Sequence, residues 1–296
     1  MKLRIAENFR AAFYAPFYAI RALGLAEREG LEVEWLPSDT PGGTIGQVKA
    51  GTIDAQWGGP MRVLEDHDAA GSRRLVCFAE VVWRDPFYVI GRQNAPGFQV
   101  KDLARMRLGI VSEVPTPWYC LRSDLEDAGV DTTRLQLTRN LTMPQQIEAL
   151  AAGRLDAIQL FEPHASRALA AGNAILYAAA SRGPTAYTAF ITSRDAASKK
   201  RDAFAALTRA TQAMLDWVHK AGPAELARAT ATFFPDVPQD VLVSAFGRYE
   251  RAGLWAHNTL VSRTGFDRLA YSLHDGGFIK HRAAYADCVQ DFRRPS

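Results

Sequence analysis

The sequence predicts an α/β protein of two similar lobes, each built on a mostly parallel sheet, joined by a two-segment hinge and followed by a helical C-terminal tail. Three observations predict it. Apolar periodicity over the first sixty or so residues runs strand, helix, strand, helix, strand; that order recurs about a hundred residues later; and after Asp195 the pattern is helical.

Residues 2–6 alternate as a short strand, and residues 17–29 carry helical spacing that ends at Gly30, a helix stop. Residues 31–36 alternate again. Thr40-Pro41 offers an N-cap with proline in the first turn, a helix then runs to Gly51, and residues 53–57 form a third strand. Strands alternating with helices of this length mark a parallel sheet. In the second unit, residues 107–111, 135–138 and 155–160 are the strands, and residues 118–128 and 144–152 are helices stopped by Gly129 and Gly153. The repeat is also literal: Ala50-Gly51-Thr52-Ile53-Asp54-Ala55 aligns with Ala152-Gly153-Arg154-Leu155-Asp156-Ala157 at an offset of 102.

Residues 83–92, extended and aromatic, and residues 183–193, β-branched and small, connect the units, so the hinge is expected at 84–92 and 184–192. Lobe I is then 1–88 plus 189–296, and lobe II is 89–188. Helices expected over 203–220, 224–234, 239–250 and 266–273 form a tail that covers the first lobe and braces the hinge.

Composition narrows the function. A chain of 296 residues, 48% hydrophobic and 23% charged, can bury a large core without staples. With 35 Lys and Arg against 32 Asp and Glu the net charge is only +3, and no basic stripe exists, so nucleic acid is not an expected partner. Cys77, Cys120 and Cys288 are widely spaced and form no zinc pattern with the histidines, so no metal is expected. The early apolar run, 11–20, is too short to span a bilayer, and no membrane insertion is expected. Lys2 and Arg4 precede that run as in a signal peptide, but Glu7, Arg10 and Arg21 break the pattern. The expected compartment is the cytoplasm for the chain as written, or the periplasm where a leader has been removed.

Ala15-Pro16-Phe17-Tyr18-Ala19 followed by Glu29-Gly30-Leu31-Glu32-Val33-Glu34 resembles the opening of the NMT1/THI5-like (SsuA/ThiY-type) group of type II periplasmic-binding proteins. That group includes the solute receptors of ABC transporters for nitrate, sulfonates, taurine and thiamine pyrimidines. The Ala-Gly-x-x-Asp-Ala unit ahead of Trp57-Gly58-Gly59-Pro60, and Phe161-Glu162-Pro163, are also similar to the group's pattern. The resemblance spans residues 3–192 and implies the type II periplasmic-binding-protein fold, a cleft closing on a small molecule, and an ABC permease as partner.

The residues lead to the same cleft on their own, because open parallel sheets bind ligands beyond the carboxyl ends of their strands. Those loops are 7–14, 37–44, 56–62, 112–119 and 160–164. Asn8, Arg10 and Phe13 lie in the first; Arg10 either grips an anion in two-pronged fashion or is a surface charge. Thr44 lies within Gly42-Gly43-Thr44-Ile45-Gly46, which is either a backbone anion site at a helix start or a flexible turn. Trp57, Gly58 and Gly59 are expected as a binding wall. Phe9, Phe13, Tyr14, Trp57, Trp83, Trp118 and Tyr119 supply rings for stacking, whereas Phe17 and Tyr18 read as packing residues. Ser112 and Thr116 are ligand donors or N-caps; Glu162 and His164 read ring N–H groups, or His164 satisfies the lobe interface; Glu80 has the same polar role near the first crossing.

No nucleophile elbow, zincin helix or Walker motif is present. Cys120 is either a thiol activated at a helix start or a small buried residue. In the fungal pyrimidine synthases of the THI5 branch, the cofactor lysine and reacting histidine fall at Gly58 and Arg62 here; in the aromatic sulfinate desulfinases, the arginine falls at Gln56 and no cysteine precedes Cys77. The expectation is therefore a solute-binding protein, without catalytic residues or cofactor, that captures a small planar or anionic organic molecule: an aromatic acid, a sulfonate or a pyrimidine-like ring. The alternative is a cytoplasmic enzyme of the same fold, a decarboxylase or other lyase on an aromatic acid, or a pyrimidine-biosynthesis enzyme.

Overall fold

The repeated hexapeptide does the same work twice. In the computed structural model, which describes residues 1–38 and 40–293, Gly51 and Gly153 each end a helix in the left-handed region, at φ +74° and +69°. The chain then turns back into a strand under an aspartate. The Asp54 carboxylate accepts the Arg4 N–H at 2.8 Å while the Asp54 N–H donates to the Arg4 carbonyl, and Asp156 makes the same pair of bonds with Arg107 at 3.0 and 2.9 Å. Each aspartate so fixes the register between the first and third strands of its unit. Residue 39, inside the expected 37–44 ligand loop, and residues 294–296, the end of the expected tail, lie outside the described residues.

Among the described residues ten strands form two sheets: β1 (Lys2–Ala6), β2 (Glu32–Leu36), β3 (Ala55–Gly58), β4 (Leu75–Val82), β5 (Tyr88–Gly91), β6 (Arg107–Gly109), β7 (Gln136–Thr138), β8 (Ala157–Leu160), β9 (Ala174–Ala178) and β10 (Thr188–Ser193). The first sheet has the order β2-β1-β3-β10-β4 and the second β7-β6-β8-β5-β9. The two orders correspond position for position. In each, three parallel strands are followed by one antiparallel strand that has crossed from the other half: β10 returns to the first sheet and β5 enters the second.

The expected strands of both units are present, and the differences have local causes. The expected helix over 17–29 begins at Ala15 and is split, Ala15–Ala22 and Leu25–Arg28, because Gly24 takes φ +61° between them. The helix expected from Thr40-Pro41 starts only at Ile45, since Gly42 at φ +74° makes a turn first. The helix Met61–Asp68 and strands β4 and β9 have no counterpart in the expected elements. β4 is buried on both faces, so its residues show no alternation to read.

The two crossings, 83–87 and 179–187, run side by side as a hydrogen-bonded ribbon: Thr185 N–H to the Trp83 carbonyl at 2.7 Å, Tyr187 N–H to Val82 at 2.9 Å, and Ala179 N–H to Phe87 at 2.9 Å. Arg182 in the second crossing pairs with Asp85 in the first and with Asp124 on the helix Thr116–Asp127. The tail comprises Arg201–Thr230, kinked at Gly222, then Gln239–Arg251 and Arg263–Asp275. It packs on the first lobe and braces the crossing, where the Trp83 indole donates to the Gly253 carbonyl at 2.6 Å. It also reaches the second lobe, beyond the expectation: Arg248 holds Glu162 at 2.7 Å, and Arg122 donates to the Gly276 carbonyl at 3.0 Å. No helix among the described residues is long and apolar enough to cross a membrane.

Candidate functional site

The carboxyl ends of β1 and β3 deliver the first lobe's side of a cavity, and the start of the helix Thr116–Asp127 delivers the second lobe's side. From the first come Asn8, Phe9, Phe13 and Tyr14, then Gly42, Gly59, Met61 and Arg62; from the second come Val114, Pro115 and Thr116. The lobes touch here, with the Thr116 hydroxyl 2.6 Å from the Met61 sulfur and the Phe13 and Phe161 rings edge to face at 5.3 Å. The space between them is about 40 Å³, room for a few waters.

Asn8 organises the floor. Its Oδ1 accepts the Gly42 N–H at 2.6 Å and its Nδ2 donates to the Tyr14 hydroxyl at 3.1 Å. Burial pushes the Tyr14 phenol up to about 12, so it stays neutral near pH 7. Arg62 is the sole charged residue among the described lining residues. It pairs with the half-exposed Glu65 at 2.8 Å, and its guanidinium lies so close to Gly42 that a Cβ there would stand 2.8 Å from an Arg62 nitrogen. Glycine at 42 is favoured by its φ of +74°, and a side chain there would also push the Arg62 guanidinium aside. Behind the wall, Thr44 donates its hydroxyl to Gln56 Oε1, and Gln56 Nε2 is buried without a partner, 2.9 Å from where a Gly58 Cβ would sit.

Of the residues expected from the sequence, the structure brings Asn8, Phe9, Phe13, Tyr14, Gly59 and Thr116 together around the cavity. Thr44 and Gly58 stand one layer behind. The others are placed elsewhere, each for a visible reason. Arg10, expected to read an anion in the cleft, is folded back onto Glu7 in a two-pronged pair at 2.9 and 3.1 Å and donates to the Phe233 carbonyl at 2.7 Å, so it faces a different cavity. The Gly42–Gly46 loop is not an open anion nest, because Asn8 takes the Gly42 N–H. Trp57, expected as a cleft wall, is 3% exposed and stacked on Phe17 at 5.2 Å. Trp83 braces the tail. Ser112 is exposed and donates to the Leu141 carbonyl at 3.2 Å. Glu162 is buried and neutralised by Arg248, with the Ser166 N–H and hydroxyl on its other oxygen. His164 is half-buried with Nδ1 unpartnered, and burial holds its imidazole below the ordinary value, so it is neutral at pH 7.

Glu80 is a core carboxyl rather than a cleft residue. One oxygen accepts the Ser262 N–H at 2.9 Å, the other has no partner, and burial pushes its pKa up to about 8. A carboxyl whose folded value exceeds its unfolded one, about 4.3, favours the fold fully below that lower value and loses the contribution as pH rises toward 8. Glu80→Gln, which mimics the neutral form, is therefore expected to raise the melting temperature at pH 8 by several degrees and to change it little at pH 5. A scan at both values checks this, and equal shifts would contradict it.

Arg62, at the end of the expected 56–62 loop and two residues after Gly58-Gly59-Pro60, was not singled out from the sequence as a cavity-lining charge. For Cys120 the small buried residue is the reading that the structure bears out. Cys120 is 1% exposed, and burial pushes its thiol far above the ordinary value, the opposite of an activated thiol.

Comparison with known proteins agrees with this architecture. The chain is 23% identical over 298 aligned positions to "Putative binding protein YtlA" of Bacillus subtilis, covering 97% of this chain and 87% of that protein. The periplasmic aliphatic sulphonate binding protein SsuA of Escherichia coli superposes with a TM-score of 0.77 at 16% identity, over 98% of this chain and 92% of that one. The desulfurization enzyme DSZB superposes with a TM-score of 0.68 at 16% identity, over 99% and 97%. These likenesses show the two-lobe periplasmic-binding-protein fold. Residues 10–233 match the NMT1-like family, and the chain belongs to that family.

Proposed function

We propose that the protein is a solute-binding protein that holds a small anionic or planar organic molecule between lobe I (1–88 and 189–296) and lobe II (89–188) and presents the closed form to an ABC permease. The observation that carries this reading is one cavity lined by both lobes, with a lone arginine in an otherwise apolar and hydrogen-bonding wall. Arg62 takes the acid group, whether carboxylate or sulfonate, and the rings of Phe9, Phe13 and Tyr14 take the organic part. A ligand touching both walls favours the closed arrangement over the open one by those extra contacts, which is how binding shifts the two populations. The space left between the lobes in this arrangement is smaller than an aromatic ring, so a bound ring holds them somewhat wider apart along the 83–87 and 179–187 ribbon while still touching both walls. The names of SsuA and YtlA, both binding proteins, support the same reading.

The test is incubation of the purified protein with aromatic acids, alkyl and aryl sulfonates, nitrate and methylpyrimidines, release of what is bound by denaturation, and identification by mass spectrometry. The expected result is one ligand per chain, recovered unchanged. Recovery of a product instead would establish the competing reading, an enzyme on the same fold.

A further inference from the structure

We propose that lobe I carries a second binding site, outside the interlobe cavity, for a flat aromatic carboxylate. A cavity of about 290 Å³ lies beyond the other side of the first loop, and it shares no lining residue with the interlobe one. Its walls are the rings of Trp35, Trp57, Phe17, Tyr18 and Phe233, and its charged groups are Glu7, Arg10 and Arg21. Phe233 comes from the tail and the rest from the first lobe, so filling it needs no movement of the second lobe.

The polar groups select the occupant. Both Glu7 oxygens are engaged, by Arg10 at 2.9 and 3.1 Å and by the Tyr18 hydroxyl at 2.6 Å, so the Glu7 charge is already met from within the protein. Among the described lining residues Glu7 and Arg10 cancel, which leaves Arg21 as the excess charge. Its guanidinium lies 5.6 Å from the Phe233 ring centre, and Arg10 lies 4.9 Å from that of Tyr18, whose ring stacks on Phe233 at 4.8 Å. An excess guanidinium calls for an anionic group, while the aromatic walls call for a flat apolar body. An aromatic acid of one or two rings satisfies both. A plain hydrocarbon leaves the guanidinium without a counter-charge.

Isothermal calorimetry with 2-naphthoate tests the site, using the wild-type chain, Arg21→Gln and Arg62→Gln, each first checked by its melting curve. The expected result is a phase of one naphthoate per chain that Arg21→Gln weakens five- to tenfold and that does not respond to Arg62→Gln. Absence of saturable binding, or a single phase that responds to Arg62→Gln and not to Arg21→Gln, would overturn the proposal. Because the interlobe site is probed by the other variant, the two readings fail separately.

Discussion

Arg182→Ala is expected to lower the melting temperature by about 10 °C. The Arg182 side chain is 6% exposed and bridges Asp85, which is fully buried, and Asp124, whose carboxylate also accepts the Tyr177 hydroxyl at 2.7 Å. Burial pushes the Asp85 carboxyl up, with Arg182 opposing that shift. Removing the arginine leaves two carboxylates without their cation, one of them out of reach of water, a change that costs about 3–5 kcal/mol for a buried pair. At roughly 2–4 °C per kcal/mol for chains approaching this size, the melting curve moves by about 10 °C. The double variant Arg182→Met with Asp85→Asn removes both sides of one pair and is expected to recover part of the loss. A shift of under about 2 °C for Arg182→Ala would mean that water reaches the pair and that the crossing ribbon is held by its backbone bonds alone.

Arg62→Gln is expected to weaken binding of any acid recovered from the ligand panel by ten- to a hundredfold while leaving the melting temperature within about a degree. Charge-assisted hydrogen bonds are worth about 1.5–3 kcal/mol, which converts to that range. Stability is spared because the partner Glu65 is half-exposed, and such surface pairs contribute little. Neutral methylpyrimidines that bind are expected to be unaffected, and calorimetric titration of both ligand classes checks the contrast. Equal loss for acids and neutral rings would make Arg62 a shape element of the wall instead of its anion receptor.

Much of the fold was legible because the repeat is written in residues with a job. Asp54 and Asp156 each lock the first strand of their unit through the backbone of Arg4 or Arg107, and Gly51 and Gly153 each supply the left-handed turn, so the sequence repeats where the geometry repeats. β4 was illegible for a physical reason, since a strand covered on both faces has no polar side to alternate with. The candidate site was legible to the same extent. Strand ends pointed to Asn8, Phe13, Gly59 and Thr116, because ligands in open sheets sit there. Strand ends do not say which way a side chain turns. Arg10 leaves the cavity because Glu7 is three residues away and the Phe233 carbonyl, far along the chain, completes its hydrogen bonds. Glu162 was read as a ligand group because its partner Arg248 lies 86 residues on, beyond any local pattern.

The central claim is that a solute is held between the lobes, and the interlobe distance tests it most directly. Thr40 and Asn140 are exposed on loops that follow β2 and β7, the equivalent strands of the two sheets, and the three native cysteines are buried. Spin labels on Thr40→Cys and Asn140→Cys report that distance by pulsed electron spin resonance, with and without a ligand from the panel. The account predicts a broad distribution that collapses to a shorter, narrower one at saturating ligand and stays broad in Arg62→Gln at the same acid concentration. A distribution unchanged by a bound ligand would contradict it and would place the solute outside the interlobe cavity.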